Sequence, residues 1–362
     1  MHKTRIIVGL SGGVDSSVAA LQLIEQGHEV HGVFMKNWDD GLDTGYCSAA
    51  DDLEDARAVA KTLGIPLHQV NFTAEYREHV FRYFLEEYRS GRTPNPDILC
   101  NTEIKFKAFL NHARRLGADL IATGHYARRA IQNHRYLLLK GRDPGKDQSY
   151  FLHGLNQQQL ASTRFPLGEL HKSEVRQRAA AARLVTHDKK DSTGICFIGE
   201  RPFREFLNRF LPAQPGPIHS TDGKMLGNHN GLMFYTIGQR HGLGIGGQRH
   251  GCGDPWYVTG KDLRHNILIV AQGCHHPALL HHRLRSSQLH WISGETPIIP
   301  LRCQAKIRYR QPDQDCIIET VKHDHADIRF LKPQRAITPG QSVVFYQNEV
   351  CLGGGVIDSA YN

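Results

Sequence analysis

The stretch Gly9 to Ser17, reading GLSGGVDSS, constrains this chain more than any other. It follows the apolar run Ile6 to Val8. It precedes Val14, Val18, Leu21 and Ile24, which recur at helical spacing until Gly27. Strand, glycine turn and helix in that order open a parallel βα unit, and a strand covered on both faces has this short apolar character. Gly12 and Gly13 let backbone N–H groups approach a ligand closely, and the helix N-terminus adds partial positive charge. The turn is therefore built for phosphate. It is not G-x-x-x-x-G-K-[ST], since it holds no lysine, and it is not G-x-G-x-x-G.

The alternation continues beyond the turn. Val30 to Met35, Leu67 to Phe72 and Leu120 to Thr123 read as strands. Helices are predicted around Leu53 to Leu63, Phe81 to Tyr88, Ile104 to Ala113, Val175 to Leu184 and Phe203 to Leu211. This order predicts an α/β fold with a doubly wound parallel sheet, then a mainly helical part from 155 to 211. Residues 212–217, PAQPGP, are the clearest linker signal. Beyond them, short β-type runs alternate with glycine-rich turns. We expect residues 1–211 to form the first domain, the parallel sheet together with the mainly helical part. Residues 212–275 are expected to form a β-rich central domain and 276–362 a C-terminal β-barrel.

Composition limits the function classes. With 44 basic and 36 acidic residues the net charge is +8, which suits a polyanionic partner such as nucleic acid. No apolar run reaches the roughly 18 residues of a membrane span, and the first residues do not resemble a signal peptide, so a cytoplasmic protein is expected. Cysteines stand at 47, 100, 196, 252, 274, 303, 316 and 351, with no C-x-x-C pair and no zinc-finger spacing. The pairs His275–His276 and His281–His282 lack companion ligands, so no resident metal site is expected.

Two cysteines stand in distinctive contexts. Cys100 ends GRTPNPDILC, where Pro94 and Pro96 stiffen the chain and Asp97 stands three residues earlier. Cys196 lies in KKDSTGICFIG, where Lys189 and Lys190 are placed to stabilise a sulfur anion. For each thiol, and for Cys47, two readings stand on local grounds: a small packing group, or a reactive sulfur. Cys252, Cys274, Cys303, Cys316 and Cys351 lie in β-rich segments and read as structural.

The S-G-G-x-D-S turn resembles the PP-loop family of ATP pyrophosphatases, which transfer AMP to an oxygen and release pyrophosphate. A carbonyl oxygen is a poor leaving group, and attaching AMP makes it a good one. Asp15 would then help hold Mg²⁺. Further motifs sharpen the likeness: FMKNW at 34–38, GRTPNPDILCN at 91–101, ATGHY at 122–126, KDQSYF at 146–151, DSTGICFIGE at 191–200, TIGQR at 236–240, GLGIGG at 242–247, RYRQ at 308–311 and LGGG at 352–355. Together they span the chain in order and resemble the tRNA-specific 2-thiouridylases.

That resemblance implies an enzyme that converts the wobble uridine of certain tRNAs to 2-thiouridine. ATP would adenylate O2 of the base, and a persulfide on Cys196 would deliver sulfur to C2. Cys100 would be the second catalytic thiol, releasing the sulfur through a Cys100–Cys196 disulfide. Asp97 would be the general acid/base. Gly9, Leu10, Ser11, Gly12, Gly13, Val14, Asp15 and Ser16 would bind the nucleotide, with Met35 and Gly124 bordering it. Asn95, Pro96 and Asp97 would meet the target base, and His125, Lys146, Asp147, Gln148, Arg308, Tyr309 and Gln341 would touch tRNA. The implied partners are a tRNA anticodon loop, whose bases are already unstacked, and a persulfide carrier protein or cysteine desulfurase. On the residues alone, Lys172, Arg176, Arg178 and Arg183 are either a phosphate-binding stripe or a solvated helix face.

Two other classes of function are compatible with the turn alone: a PP-loop ligase acting on a small metabolite, and an RNA-binding module with ATP as a mere ligand. Neither calls for two thiols and a carboxylate beside such a turn.

Overall fold

Ile6, Ile7 and Val8 are fully buried because their strand runs through the middle of a parallel sheet covered on both faces. Successive side chains of a strand point to opposite faces. Ile7 accordingly joins one apolar cluster with Val33, Phe109 and Ile121, while Ile6 and Val8 join a second with Val14, Val18 and Ala56. The structure is a computed structural model that describes residues 3–39, 48–191, 197–198, 201–245 and 253–362.

The strands of the first part are β1 (Arg5–Gly9), β2 (Glu29–Lys36), β3 (Leu67–Asn71), β4 (Leu120–Ala122), β5 (Ala127–Gln132), β6 (Arg135–Lys140) and β7 (Thr163–Arg164). The parallel sheet has the order β3-β2-β1-β4-β7. Its helices are α1 (Val14–Glu25), α2 (Ser48–Leu63), α3 (Thr73–Tyr76), α4 (Arg82–Arg89), α5 (Pro96–Leu99), α6 (Phe109–Arg115), α7 (Gln157–Ala161), α8 (Lys172–Ala181) and α9 (Phe203–Asn208). The four strands expected from the apolar runs are present, and the fold is the expected α/β one.

Three features differ from the sequence expectation. The helix expected at Ile104 to Ala113 begins earlier, at α5. It is wound as a π-helix over Cys100–Ala108 before becoming α6. The mainly helical part contains β7, a two-residue edge strand whose pairing with β4 no local pattern announces. The hairpin β5–β6 leaves the first part altogether and pairs through β6 with the last strand of the chain.

The central sheet joins β8 (Gly216–Ser220), β9 (Met225–His229), β10 (Trp256–Asp262) and β11 (Ile267–Gln272) around Ile218, Val258, Leu268 and Val270. The last part contains β12 (Leu280–Trp291), β13 (Leu301–Lys306), β14 (Gln314–Lys322), β15 (His325–Arg335), β16 (Ser342–Gln347) and β17 (Val350–Tyr361). These six strands close into a barrel because β12 pairs with both β15 and β17. Cys303 and Cys316 face each other across β13 and β14 with sulfurs 3.6 Å apart, both buried in the barrel core.

Closure depends on a glycine. Gly353 sits at φ +139°, and a Cβ there would lie 2.0 Å from the His290 carbonyl oxygen of β12. Gly353→Ala is expected to lower stability by about 2 kcal/mol or more, read from denaturant unfolding of the full chain. A change within error would show that the β12–β17 seam yields to a methyl group.

Candidate active site

Strand order reverses direction on either side of β1, so the chain leaving β1 and the chain leaving β4 diverge and open a crevice at the carboxyl edge of the sheet. Open α/β sheets bind ligands at such a point. The Gly9 to Ser17 turn occupies one side of it. Gly12 has φ +74°, and a Cβ there would come within 2.2 Å of the Asp52 carbonyl oxygen of α2. Gly13 is the N-cap of α1 and brings no side-chain cap, so the first amides of the helix lack a protein side-chain acceptor there.

The serines divide their roles in a way the sequence does not reveal. Ser16 and Ser17 hydroxyls donate back to the Gly13 carbonyl at 3.0 and 2.9 Å, and the Ser16 hydroxyl accepts from Ser11 N–H at 3.1 Å. Both are buried, and they fold the turn rather than face outward. Ser11 alone of the three is exposed.

Gly124, after β4, forms the opposite wall. A Cβ at Gly124 would lie 2.7 Å from the Ser16 nitrogen, so only glycine lets β4 and the turn approach this closely. Met35 lies at the end of β2, its methyl near Gly9. Leu10 and Val14 are core residues of the turn.

Asp15 is the centre of a charged network. Its carboxylate accepts from the Tyr126 hydroxyl at 2.7 Å and from Lys172 Nζ at 2.7 and 2.8 Å. Lys172 also meets Asp191 Oδ1 at 2.8 Å, and Asp191 takes Lys146 at 2.6 Å and Arg176 at 3.1 Å. Burial opposes ionisation of Asp191, but Lys146 and Lys172 outweigh it and hold the carboxyl at about 2. Burial first, then Asp15, pushes the Tyr126 phenol far above its usual range, so it stays a donor. Lys172 and Arg176 therefore belong to the interior of the site and not to an RNA-facing stripe. Arg178 instead pairs with Glu25 at 3.2 Å.

Lys189 also differs from its expected position. It donates to the Gly12 carbonyl at 3.0 Å, to Asp52 at 2.7 Å and to Asp55 at 2.5 Å, tying α2 to the turn. Burial opposes its charge, but the two carboxylates more than compensate and raise it above the usual lysine range.

The second half of the site is the Asn95 to Cys100 segment. Asn95 caps α5, its side chain accepting from Asp97 N–H at 3.2 Å, and Pro96 fills the first helical turn. The proline loop thus starts a helix, and Cys100 opens the π-helical turn, a geometry common at functional sites. Cys100 is only 2% exposed, so the thiol is packed and not displayed. Asp97 is half-buried. Desolvation raises its carboxyl above the usual range, with Lys105 pulling it partly back. Lys105 also acts on His125, which burial pushes well below the usual histidine range. The one cation thus links the Asp97 segment to the strand end at Gly124.

Cys196 and Cys47 lie outside the described residues, as do Gly246 and Gly247 of the glycine-rich 242–247 stretch. The described neighbours of Cys196 are informative. Asp191 is held in the charged network, and Phe197 is fully buried with ring centroids 4.9 Å from Phe84, 5.2 Å from Phe81 and 5.5 Å from Trp38. Phe197 and Cys100 belong to the same buried cluster.

Several residues assigned to tRNA by resemblance make hydrogen bonds or ring contacts within the protein. His125 is buried, its Nδ1 2.8 Å from the Thr123 hydroxyl and its ring beside Phe106 and Phe165. Asp147 accepts from Gly141 N–H at 2.9 Å and from the Ser149 hydroxyl at 3.0 Å. Gln148 bonds both backbone groups of Tyr126. Arg308 donates to the carbonyls of Ile237 and Ala336, each at 3.0 Å, and joins the central sheet to the barrel. Tyr309 packs 4.4 Å from Phe151. Gln341 donates to the Thr93 carbonyl at 2.7 Å. The structure thus sets Asp97 and Cys100 three residues apart along one helical segment and makes Arg308 and Gln341 braces between distant parts of the chain. Sequence reading missed the Asp15–Lys172–Asp191 link and the part of Tyr126 in it, although Tyr126 and Asp191 stand in quoted motifs.

Comparison with known proteins covers the whole chain. The family descriptions "tRNA methyl transferase HUP domain", "tRNA methyl transferase PRC-barrel domain" and "Aminomethyltransferase beta-barrel domain" match residues 4–200, 204–272 and 281–357. The tRNA-specific 2-thiouridylase MnmA of Methylococcus capsulatus is 60% identical over 362 residues, covering 99% of this chain and 98% of the relative. Those of Nitrosococcus oceani and Pseudomonas aeruginosa are each 59% identical, covering 99% of this chain and 97% and 96% of theirs.

The raised Asp97 carboxyl gives a pH signature. A carboxyl raised on folding favours the native state at pH below its unfolded value, and that favour is lost as pH rises through the folded value. Asp97→Asn is therefore expected to be more stable than the parent at neutral pH and indistinguishable from it in acid. Urea unfolding at pH 7 and at pH 3 checks this, and equal midpoints at pH 7 would contradict it.

Proposed function

The chain belongs to the family of tRNA-specific 2-thiouridylases, and from that premise we propose how its residues carry out the reaction. It is an ATP-dependent tRNA sulfurtransferase that forms 2-thiouridine. The names of the matched domains speak of methyl transfer. Yet a turn of the PP-loop kind and two thiols have no part in moving a methyl group, and the full-length relatives are named for thiolation.

ATP lies against the Gly9 to Ser17 turn at the carboxyl edge of the sheet, with Gly124 and Met35 at its edge. O2 of the wobble uracil attacks the α-phosphorus, N3 loses its proton and pyrophosphate leaves. Asp97 is the base for that proton, and desolvation raises its carboxyl above the usual range, which makes it a stronger base. Asn95 and Pro96 border the base. The terminal sulfur of a persulfide on Cys196 then attacks C2 and expels AMP, leaving a C2–S–S–Cys196 link. The Cys100 thiolate attacks the Cys196 sulfur, so that 2-thiouridine departs and a Cys100–Cys196 disulfide remains. An external dithiol reduces it. The observation that carries this reading is the 60% identity, over 99% of this chain, to a relative named as a tRNA-specific 2-thiouridylase.

Mg²⁺ accompanies ATP in this reading, and Asp15 is the carboxylate suited to it. A persulfide carrier protein or cysteine desulfurase supplies the sulfur, in the cytoplasm where tRNA resides. Among the described residues no helix is long and apolar enough to cross a membrane. Lys146, Gln148, Arg308, Tyr309 and Gln341 are partly exposed members of the tRNA set and are its contacts in this reading. His125 and Asp147 are buried and support that surface from beneath. The division 1–211, 212–275 and 276–362 is the domain organisation in this reading, with the β5–β6 hairpin of the first part pairing to the last strand.

The test is incubation with ATP, Mg²⁺, a persulfide donor and unmodified tRNA, followed by nucleoside analysis. Cys196→Ser is expected to abolish 2-thiouridine while tRNA binding persists, and full activity in that variant would remove the persulfide assignment. Cys100→Ser should lose product by at least about a hundredfold, the order expected for a lost catalytic group. Normal turnover there would make Cys100 structural.

A further inference from the structure

A base acts only from within hydrogen-bond reach of its proton, so the reaction depends on where the chain sets Asp97 down. Asp97 hangs on the short link 91–95, between the end of α4 and the Asn95 cap of α5. That link is stiff. Pro94 and Pro96 fix their own φ and restrict Thr93 and Asn95 before them. A stiff link passes a shift at one end to the other.

Two grips hold it, and they come from different parts of the chain. The barrel grips Thr93, whose N–H donates to the Pro339 carbonyl at 3.0 Å and whose carbonyl accepts from Gln341 at 2.7 Å. The central sheet grips Gly91. The Gly91 N–H donates to the Tyr88 carbonyl at 3.0 Å and ends α4, so its own carbonyl is left for a partner outside the link. That partner is Lys261 of β10, whose Nζ donates at 2.9 Å. Gly91 has φ +71°, and a Cβ there would lie 2.5 Å from Leu263 Cδ2, so glycine lets β10 come this near.

Lys261 is a costly choice for such a grip. Among the described residues no carboxylate pairs with it, and burial by itself draws its ammonium down to about 8. A desolvated cation without an opposite charge lowers stability, and an apolar side chain of similar length would avoid that cost. What the charge adds is a strong, directed hydrogen bond to one carbonyl. We propose that Lys261 is a positioning residue for the adenylation step: by holding the Gly91 carbonyl it sets the place from which Asp97 takes the N3 proton. This rests on the thiolation reading above, with Asp97 as its base, and it gives the central sheet a part in the chemistry without a contact to substrate.

The experiment follows tRNA-dependent release of pyrophosphate from ATP by the full chain with no sulfur donor, so it reads the step of Asp97 and neither thiol. It compares the parent, Lys261→Met, Asp97→Asn and the double variant. Lys261→Met is expected to slow the maximal rate by about tenfold or more, as a small misplacement of a reacting group does. The half-saturating concentrations of ATP and tRNA should stay within about twofold of the parent. Lys261→Arg, which keeps a charged donor, should recover part of the rate. In the Asp97→Asn chain the base is already gone, so adding Lys261→Met is expected to cost less than about twofold. An equal factor in both backgrounds would mean that Lys261 serves the fold or some other group. A change confined to half-saturating tRNA would make it an RNA contact. Either result overturns the inference, as does a parent rate in Lys261→Met. A parent rate in Asp97→Asn would instead remove the base from the reading above, and the inference with it. Should Lys261→Met not fold, Lys261→Gln keeps a polar group in its place and enters the same comparison with the same outcomes.

Discussion

Everything in this site follows from the position of β1 at the turning point of the parallel sheet. The strand order β3-β2-β1-β4-β7 makes the segments after β1 and β4 part company, and the space between them is the crevice. Gly124 is pressed against Ser16 and Asp15 because β4 is the direct neighbour of β1. The same adjacency brings Tyr126 to Asp15. The first amides of α1, one carboxylate and one phenol thus converge where a nucleotide binds, before any flexible group is considered.

A second constraint is charge balance in a half-buried place. Asp15, Lys172, Asp191, Lys146 and Arg176 form one chain of pairs, and Lys189 with Asp52 and Asp55 forms another behind the turn. Each charge has an opposite one, which is the condition for keeping ions out of water. The network also joins elements distant in sequence: α1, α8 and the residue that opens the 191–200 motif. Nucleotide chemistry and the Cys196 region are thereby attached to the same carboxylate, Asp191.

The three domains are locked at the chain segment that leads to Asp97. Thr93 receives the Gln341 amide, donates its N–H to Pro339 of the barrel, and lies 3.2 Å by its hydroxyl from Thr236 of the central part. Lys261 of β10 donates to the Gly91 carbonyl at 2.9 Å, and burial draws its ammonium down to about 8. The barrel and central sheet therefore bear directly on the loop before Asn95, Pro96 and Asp97. Polar residues such as Arg308 and Gln341 are in the middle of these contacts, which gives them a structural duty alongside any contact with RNA.

Much of the fold could be read from the chain. The period of two and the period of 3.6 mark β1 to β4 and the helices around them, because burial of one face imposes those spacings locally. Gly12 and Gly13 of the turn were legible too, since close approach of backbone admits nothing else, whereas Gly124 was marked only by the family resemblance. Other features had no local signal. The pairing of β6 with β17, the two-residue β7 and the π-winding at Cys100 depend on partners many residues away. The direction of Lys172, Lys189 and His125 also had no signal, because a charged or polar side chain on a surface and one in a buried pair look the same in sequence. Sequence by itself determined the fold class and the phosphate turn. Tertiary structure decided which carboxylates Lys172 and Lys189 meet and which polar residues brace the domains, since only the packed chain decides which opposite charge is within reach.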